Sequence, residues 1–174
     1  MSLRSDAGQS KLAKTQRQNA ADVLYIAFFA IHLVLMFAVD LVPLYPDSVR
    51  PAALDTLRDF YIDKYHDKFF SEPPQWFRAY ILMEAFYHVP ASILIIRGFL
   101  KEDAFVSVHL LVWAVQASLT TLTCLVDVWD WTDRTFEEKS SLTLLYGPYL
   151  AFSVLAGLDM FCRLRRTFGK SKRD

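Results

Sequence analysis

Four side chains of the kind that do chemistry, His32, Asp40, Glu84 and His88, interrupt two otherwise apolar runs of the sequence. An ionised carboxylate at the centre of a hydrocarbon layer costs about 2.5 to 3.5 kcal/mol on insertion scales. Asp40 and Glu84 must therefore be offset by something. Two carboxyl groups brought close in a low dielectric cannot both ionise cheaply, so one is expected to keep its proton and donate a hydrogen bond to the other. Glu84, the deeper of the two, is the expected donor, and the remaining negative charge waits for a cation. His88 follows Glu84 by four residues and shares its helix face. His32 precedes Asp40 by eight, about 80° around a helix, and can also face inward. Such a set offers either a counter-charge for a cationic ligand or proton transfer, with Glu84 and a histidine as acid and base.

The elements that would position these groups are hydrophobic runs at about 23–42, 77–96, 104–126 and 142–161. The mean hydropathy of +0.20 conceals how sharply charges are segregated between them. Some 20 residues at 1.5 Å each reach across a hydrocarbon core of roughly 30 Å. The reading is an all-α membrane protein, a four-transmembrane-helix bundle. The first run is not read as a secretory signal, because about 21 polar residues precede it and no small-x-small cleavage site follows a short apolar core.

Basic residues gather before the first run (Arg4, Lys11, Lys14, Arg17), in the short second link (Arg97, Lys101) and after the last run (Arg163, Arg165, Arg166, Lys170, Lys172, Arg173). The other two connections are mainly acidic. The positive-inside bias therefore predicts both termini in the cytosol. The organisation expected is a polar basic cytosolic leader over 1–21, a membrane domain over 22–164 with a luminal loop at 43–76, and a basic cytosolic tail over 165–174. Lys170 and Lys172 stand fifth and third from the last residue, an arrangement that resembles a dilysine retrieval signal of endoplasmic-reticulum membrane proteins. It also reads as the ordinary basic flank of a last helix.

Composition excludes several classes. The 19 basic residues cancel the 19 acidic ones, which gives a nucleic-acid partner no electrostatic support. With 5 glycines there is no Gly-rich phosphate cradle, and 2 cysteines cannot build a disulfide scaffold or a four-cysteine zinc site. No metal or cofactor is expected. Cys124 and Cys162 fall at opposite membrane faces and are read as packing residues that cannot pair. Trp113, Gln116, Thr120 and Thr123 form one broad stripe on the third run. Tyr146 and Tyr149 lie three apart on the fourth. Pro90 and Pro148 should free the carbonyls of Phe86 and Leu144. Each of these also has a packing explanation as interhelical glue worth around 0.6 kcal/mol. Arg78 and Asp159, near helix ends, are expected to snorkel to the interface.

In the order His32 with Asp40, Glu72-Pro73-Pro74-Gln75-Trp76-Phe77, Glu84 with Pro90, Ser107-Val108-His109 and Tyr146-Gly147-Pro148-Tyr149-Leu150, the sequence resembles the EXPERA-domain membrane proteins. The likeness is to the sigma-two receptor (transmembrane protein ninety-seven) branch, which includes fungal efficient-mitochondria-targeting-associated proteins. It covers about Tyr25 to Leu164. The resemblance implies a bundle in the endoplasmic-reticulum membrane, commonly a homodimer, with a pocket in the luminal half for sterols or cationic amphiphiles. In it Asp40 would pair with the ligand amine, and Glu84 would hold Asp40 in place. Asp67, Phe60 and Tyr61 match residues that cap or line the pocket, and Tyr149 matches a wall residue. His88 and Trp113 depart from the receptors, which carry Gln and Thr there. Trp113 should shrink the pocket, and Gln116 is a further candidate wall residue.

The superfamily also includes the emopamil-binding sterol isomerase, whose first helix resembles His-x-x-x-Glu. Four residues after His32 this chain has Met36, so one expected catalytic group is missing. The function expected is a non-enzymatic membrane protein binding sterols or cationic amphiphiles. Its role would be sterol handling or quality control of mitochondrial precursor proteins, through membrane or precursor protein partners. A sterol double-bond isomerase is the alternative.

Overall fold

Within a hydrocarbon layer, backbone N–H and C=O groups must be satisfied by the segment itself or by its neighbours. The chain meets that demand with helices: 85% of it is helical, and no strand occurs among the described residues. The structure, a computed structural model, describes residues 2–171, with side chains from 19 to 169. Lys172, and the side chain of Lys170, in the dilysine-like tail lie outside the described residues.

Helix α1 (Ser2–Leu35) runs into a π-helical turn at Met36–Asp40 and then a 3-10 turn at Val42–Leu44. The connection that follows carries α2 (Ala52–Tyr65) and the single turn α3 (Lys68–Ser71). It is thus a folded element rather than an open loop. His66 ends α2 in the left-handed region (φ 52°), and its N–H reaches the Ile62 carbonyl at 2.8 Å. Pro73 and Pro74 stop α3, since proline cannot donate to a continuing ladder.

Helix α4 (Gln75–Met83) continues through a second π turn, Glu84–His88, into α5 (Val89–Leu100). Pro90 sits in the first turn of α5, directly after the π turn. A proline ring crowds the preceding turn and removes one donor, and a wider turn at that point accommodates both defects. Helices α6 (Val106–Asp130) and α7 (Phe136–Ser171) complete the bundle, with Pro148 inside α7.

Four segments are long and apolar enough to cross a membrane: Asn19–Asp40, Gln75–Leu100, Val106–Asp130 and Phe136–Gly169. The four-span expectation holds. The helices overrun the apolar runs at most of their ends because a helix does not stop where its side chains turn polar. Its backbone bonds continue into the interface, as at Glu137, Glu138 and Lys139 in α7.

Helix α6 packs along α7, and α5 packs between α1 and α6. Their shared core holds Phe29, Ile95, Leu110, Trp113, Ala114, Ala117 and Met160. Small residues allow close approach: a Cβ on Gly157 would lie 3.4 Å from that of Ala114. Outward-facing Val108, Val112, Val115, Leu119 and Leu122 of α6 are exposed, as a lipid-facing surface requires.

Two polar clusters mark the ends of the bundle. At the end bearing the termini, Arg163 bridges Asp22 (2.6 Å) and Asp159 (2.9 Å), and Tyr25 donates to Asp159 at 3.0 Å. Asp159 therefore does not snorkel to water alone: the basic residue one turn on neutralises it. At the other end Lys68 pairs with Asp133 at 3.0 Å, and Arg134 Nε donates to the His66 carbonyl at 2.9 Å. These contacts seat the 43–74 connector on the α6–α7 turn.

Candidate functional site

Between the spans, at the connector end, lies a cavity of about 410 Å³. That falls within the roughly 300–1,000 Å³ of small-molecule sites. Each π turn delivers a carboxyl group to it, Asp40 from the first and Glu84 from the second. A π turn inserts an extra residue into the helical ladder and so re-aims the side chains beyond it. Asp40 closes the first span. Glu84 stands nine residues into the second, roughly 13 Å deep at 1.5 Å per residue.

Both carboxyls line this one cavity. The expected hydrogen bond between them is absent: neither has a hydrogen-bond or ion-pair partner among the described residues, and both face the cavity. Nor does any lysine or arginine line it.

Around the acids the wall is aromatic. Tyr61 and Tyr65 come from α2, Phe70 from α3, Phe77 and Tyr80 from α4, Tyr146 and Tyr149 from α7. Rings of this kind present negative faces to a cation. Farther from the connector stand His32 and His88, with ring centroids 6.4 Å apart. Tyr149 Oη lies 3.3 Å from His32 Nε2. Thr120, Thr121 and Cys124 form the α6 wall.

Of the residues singled out from the sequence, the structure brings His32, Asp40, Tyr61, Glu84, His88, Thr120, Tyr146 and Tyr149 together on this one cavity. Others stand elsewhere. Phe60 is 60% exposed on the outer face of α2, with Lys64 Nζ 5.6 Å from its ring centroid. Trp113 is fully buried behind the wall, packed edge-on against Phe29 and His32. Rather than narrowing the lined space directly, it supports the histidines. Gln116 is half-buried on α6 and does not line the cavity, and Thr123 is exposed. Cys162 is exposed rather than packed.

Asp67 stands just behind the wall and is fully buried. Its Oδ2 accepts the hydroxyls of Tyr61 (2.9 Å) and Tyr146 (2.8 Å), and its Oδ1 accepts the Phe69 N–H at 2.9 Å. Burial pushes its carboxyl above the usual range, even though the three hydrogen bonds pull the other way. Burial and the neighbouring carboxylate likewise raise the Tyr61 hydroxyl, which stays a donor.

Sequence reading overlooked Phe77, Tyr80, Ile81 and Cys124 as wall residues. The first three carried a signal, since 77, 80, 81, 84 and 88 form the i, i+3, i+4, i+7, i+11 stripe that contains Glu84 and His88. Cys124 carried none.

No curated protein matches the chain. A family model described as EXPERA (EXPanded EBP superfamily) matches residues 53–160, more than half of the 174. The match begins in α2 and ends near the polar cluster of α7, so it takes in Glu84, His88 and Tyr149 and leaves out His32 and Asp40. With its four spans and this match, the chain belongs to the EXPERA (EXPanded EBP superfamily) family.

Proposed function

We propose that this protein is a non-enzymatic receptor for sterol-like or cationic amphiphilic ligands, of the sigma-two type within its superfamily. The observation that carries the reading is the pair Asp40 and Glu84, two carboxyls facing an aromatic cavity with no cation of the protein's own. A ligand ammonium would sit between the acids and the tyrosine faces, where charge attraction is strengthened by the low dielectric and by the ring quadrupoles. The apolar remainder of the ligand would fill the space between α1, α4 and α7. We place it in the endoplasmic-reticulum membrane as a homodimer; the basic leader, second link and tail support cytosolic termini. Sterol handling or precursor quality control through protein partners is the cellular role we assign.

The test is binding of a cationic amphiphile of the sigma-two class to purified protein in detergent, with thermal melts to show folding. Asp40→Asn should weaken binding at least thirtyfold, about 2 kcal/mol at 1.4 kcal/mol per tenfold, and Glu84→Gln should weaken it less. Equal binding by wild type and Asp40→Asn would sink the reading.

One observation favours a second reading, sterol double-bond isomerisation: Glu84, His88 and His32 share one cavity, and proton transfer needs an acid and a base at the ligand. Against it, Met36 is fully buried in an apolar cluster with Leu41 and Ile81, where the isomerase pattern has an acid. Incubation with a Δ8-sterol and chromatographic search for the shifted double bond separates the two.

A further inference from the structure

The inner part of the cavity contains polar atoms that the protein leaves without partners. His88 lines the cavity and is 2% exposed, yet neither Nδ1 nor Nε2 has a hydrogen-bond partner among the described residues. Beside it, Trp113 is fully buried with its Nε1 unpaired, the two ring centroids 5.9 Å apart. His32, by contrast, has Tyr149 Oη within reach of Nε2.

An unsatisfied buried donor or acceptor costs about 1–3 kcal/mol, and buried polar atoms in folded proteins nearly always have partners. The two unpartnered nitrogens of His88, on a residue that lines the cavity, are therefore a binding surface awaiting a polar group, while Trp113 Nε1 lies behind that wall.

The chemistry of that group follows from the inventory. A neutral imidazole offers one N–H donor and one acceptor nitrogen, and an indole offers one donor. A hydroxyl matches both kinds, because it donates one hydrogen and accepts through two lone pairs. A ketone could only accept, and an ammonium could only donate. His88 lies one helical turn from Glu84, roughly 6 Å along the axis, and His32 roughly 12 Å from Asp40, both on the side away from the connector. The polar lining of the cavity thus runs from Asp40 at one pole to His88 at the other, with Glu84 one turn from His88.

We infer that the cavity selects lipophilic amino alcohols, rigid apolar bodies that carry an amine at one end and a hydroxyl at the other. The amine faces Asp40 and Glu84, and the hydroxyl hydrogen-bonds to His88. This rests on the ligand-binding reading above and adds what the inner pole recognises.

The test compares two probes that differ by one group, 17β-amino-androstan-3β-ol and its 3-deoxy analogue, on the full chain in detergent. Wild type should bind the amino alcohol at least tenfold more tightly than the deoxy amine. His88→Phe keeps a ring and removes both nitrogens, and it should bring that ratio close to one. His88→Gln, which restores a donor and an acceptor, should keep most of the preference. A wild-type ratio near one, with both amines bound and both weakened by Asp40→Asn, overturns the hydroxyl anchor and leaves the cation site standing; His88 is then satisfied by water. A preference that survives His88→Phe undiminished also overturns it. Failure of both amines to bind, or indifference to Asp40→Asn, overturns the underlying reading along with it. A wild-type ratio near one overturns the hydroxyl anchor even if a His88 variant does not fold.

Discussion

Tyr146 donates its hydroxyl to Asp67 at 2.8 Å, across 79 residues of sequence. The same carboxylate oxygen takes the hydroxyl of Tyr61. One buried carboxyl thus ties α2 and the turn before α3 to α7, and both tyrosines line the cavity. This is the latch that holds the connector against the cavity at the end nearest the acids.

The latch has a pH signature. Burial raises the Asp67 carboxyl above its ordinary value of 3.8, so folding favours the protonated form. Its contribution to stability is fully present below the unfolded value and is lost as pH rises through the folded one. Melting temperatures of wild type and Asp67→Asn, measured in detergent from pH 4 to 8, should therefore show a steeper decline for wild type. Parallel curves would remove the latch's carboxyl from the account. Asp67→Ala should destabilise at every pH by about 1–3 kcal/mol, because two tyrosine hydroxyls lose their acceptor.

Cys124 provides a reporter inside the cavity. It is 5% exposed and lines the α6 wall, whereas Cys162 is exposed near the opposite end of the bundle. In a Cys162→Ser background, a small lipophilic thiol reagent should label Cys124 slowly. A saturating cationic amphiphile should slow that labelling by about tenfold or more, since an occupied site opens for the reagent only as often as ligand leaves. Labelling unaffected by a ligand that demonstrably binds would place the ligand somewhere else.

The spans were legible because the charges are segregated, and Asp40 and Glu84 were legible because acids are conspicuous in such runs. Other features were not. The connector at 43–76 has no long apolar run, so α2 and α3 read as loop. What fixes them is tertiary: Asp67 joined to Tyr146, and Arg134 joined to the His66 carbonyl. The π turns left no direct mark on the sequence either, although Pro90 stands just after one of them. Trp113 and Gln116 share the third run with Thr120, yet only Thr120 reaches the cavity. The direction α6 presents depends on how it packs against α5 and α7, and the broad stripe on this helix could not fix that.

At the other end of the bundle, Arg163 lies between two carboxylates and 5.8 Å from the Tyr25 ring centroid. Replacing it with leucine leaves Asp22 and Asp159 facing each other without a cation. A fully buried pair broken in this way costs about 3–5 kcal/mol, but these acids are partly open to solvent, so about 1–2 kcal/mol is expected. Arg163→Lys should recover part of the loss, and Asp22→Asn in the leucine background should recover some of it by removing the repulsion. A melting temperature unchanged by Arg163→Leu would show that the cluster is incidental.

Where α5 meets the start of α6, Gly98 faces the tightest steric demand among the described glycines. A Cβ on Gly98 would lie 2.8 Å from both Cβ and Cγ2 of Val106, and Val106 is itself 7% exposed. Those atoms belong to a β-branched side chain with a single torsion, which cannot swing aside as a long flexible one could. Gly98→Ala should therefore destabilise by about 1–3 kcal/mol, the range for overpacking a close-packed site. That is the opposite of the gain usually seen when alanine replaces glycine inside a helix. Because the clash is with the Val106 methyl and Cβ, the remedy is specific. Val106→Ala in the Gly98→Ala background should recover the part of the loss that comes from Cγ2. The same change in wild type should destabilise by emptying the contact. A double-mutant cycle read by thermal melts should then give a favourable coupling between the two sites of about 0.5–3 kcal/mol, and additivity would show that α5 and α6 can separate without strain.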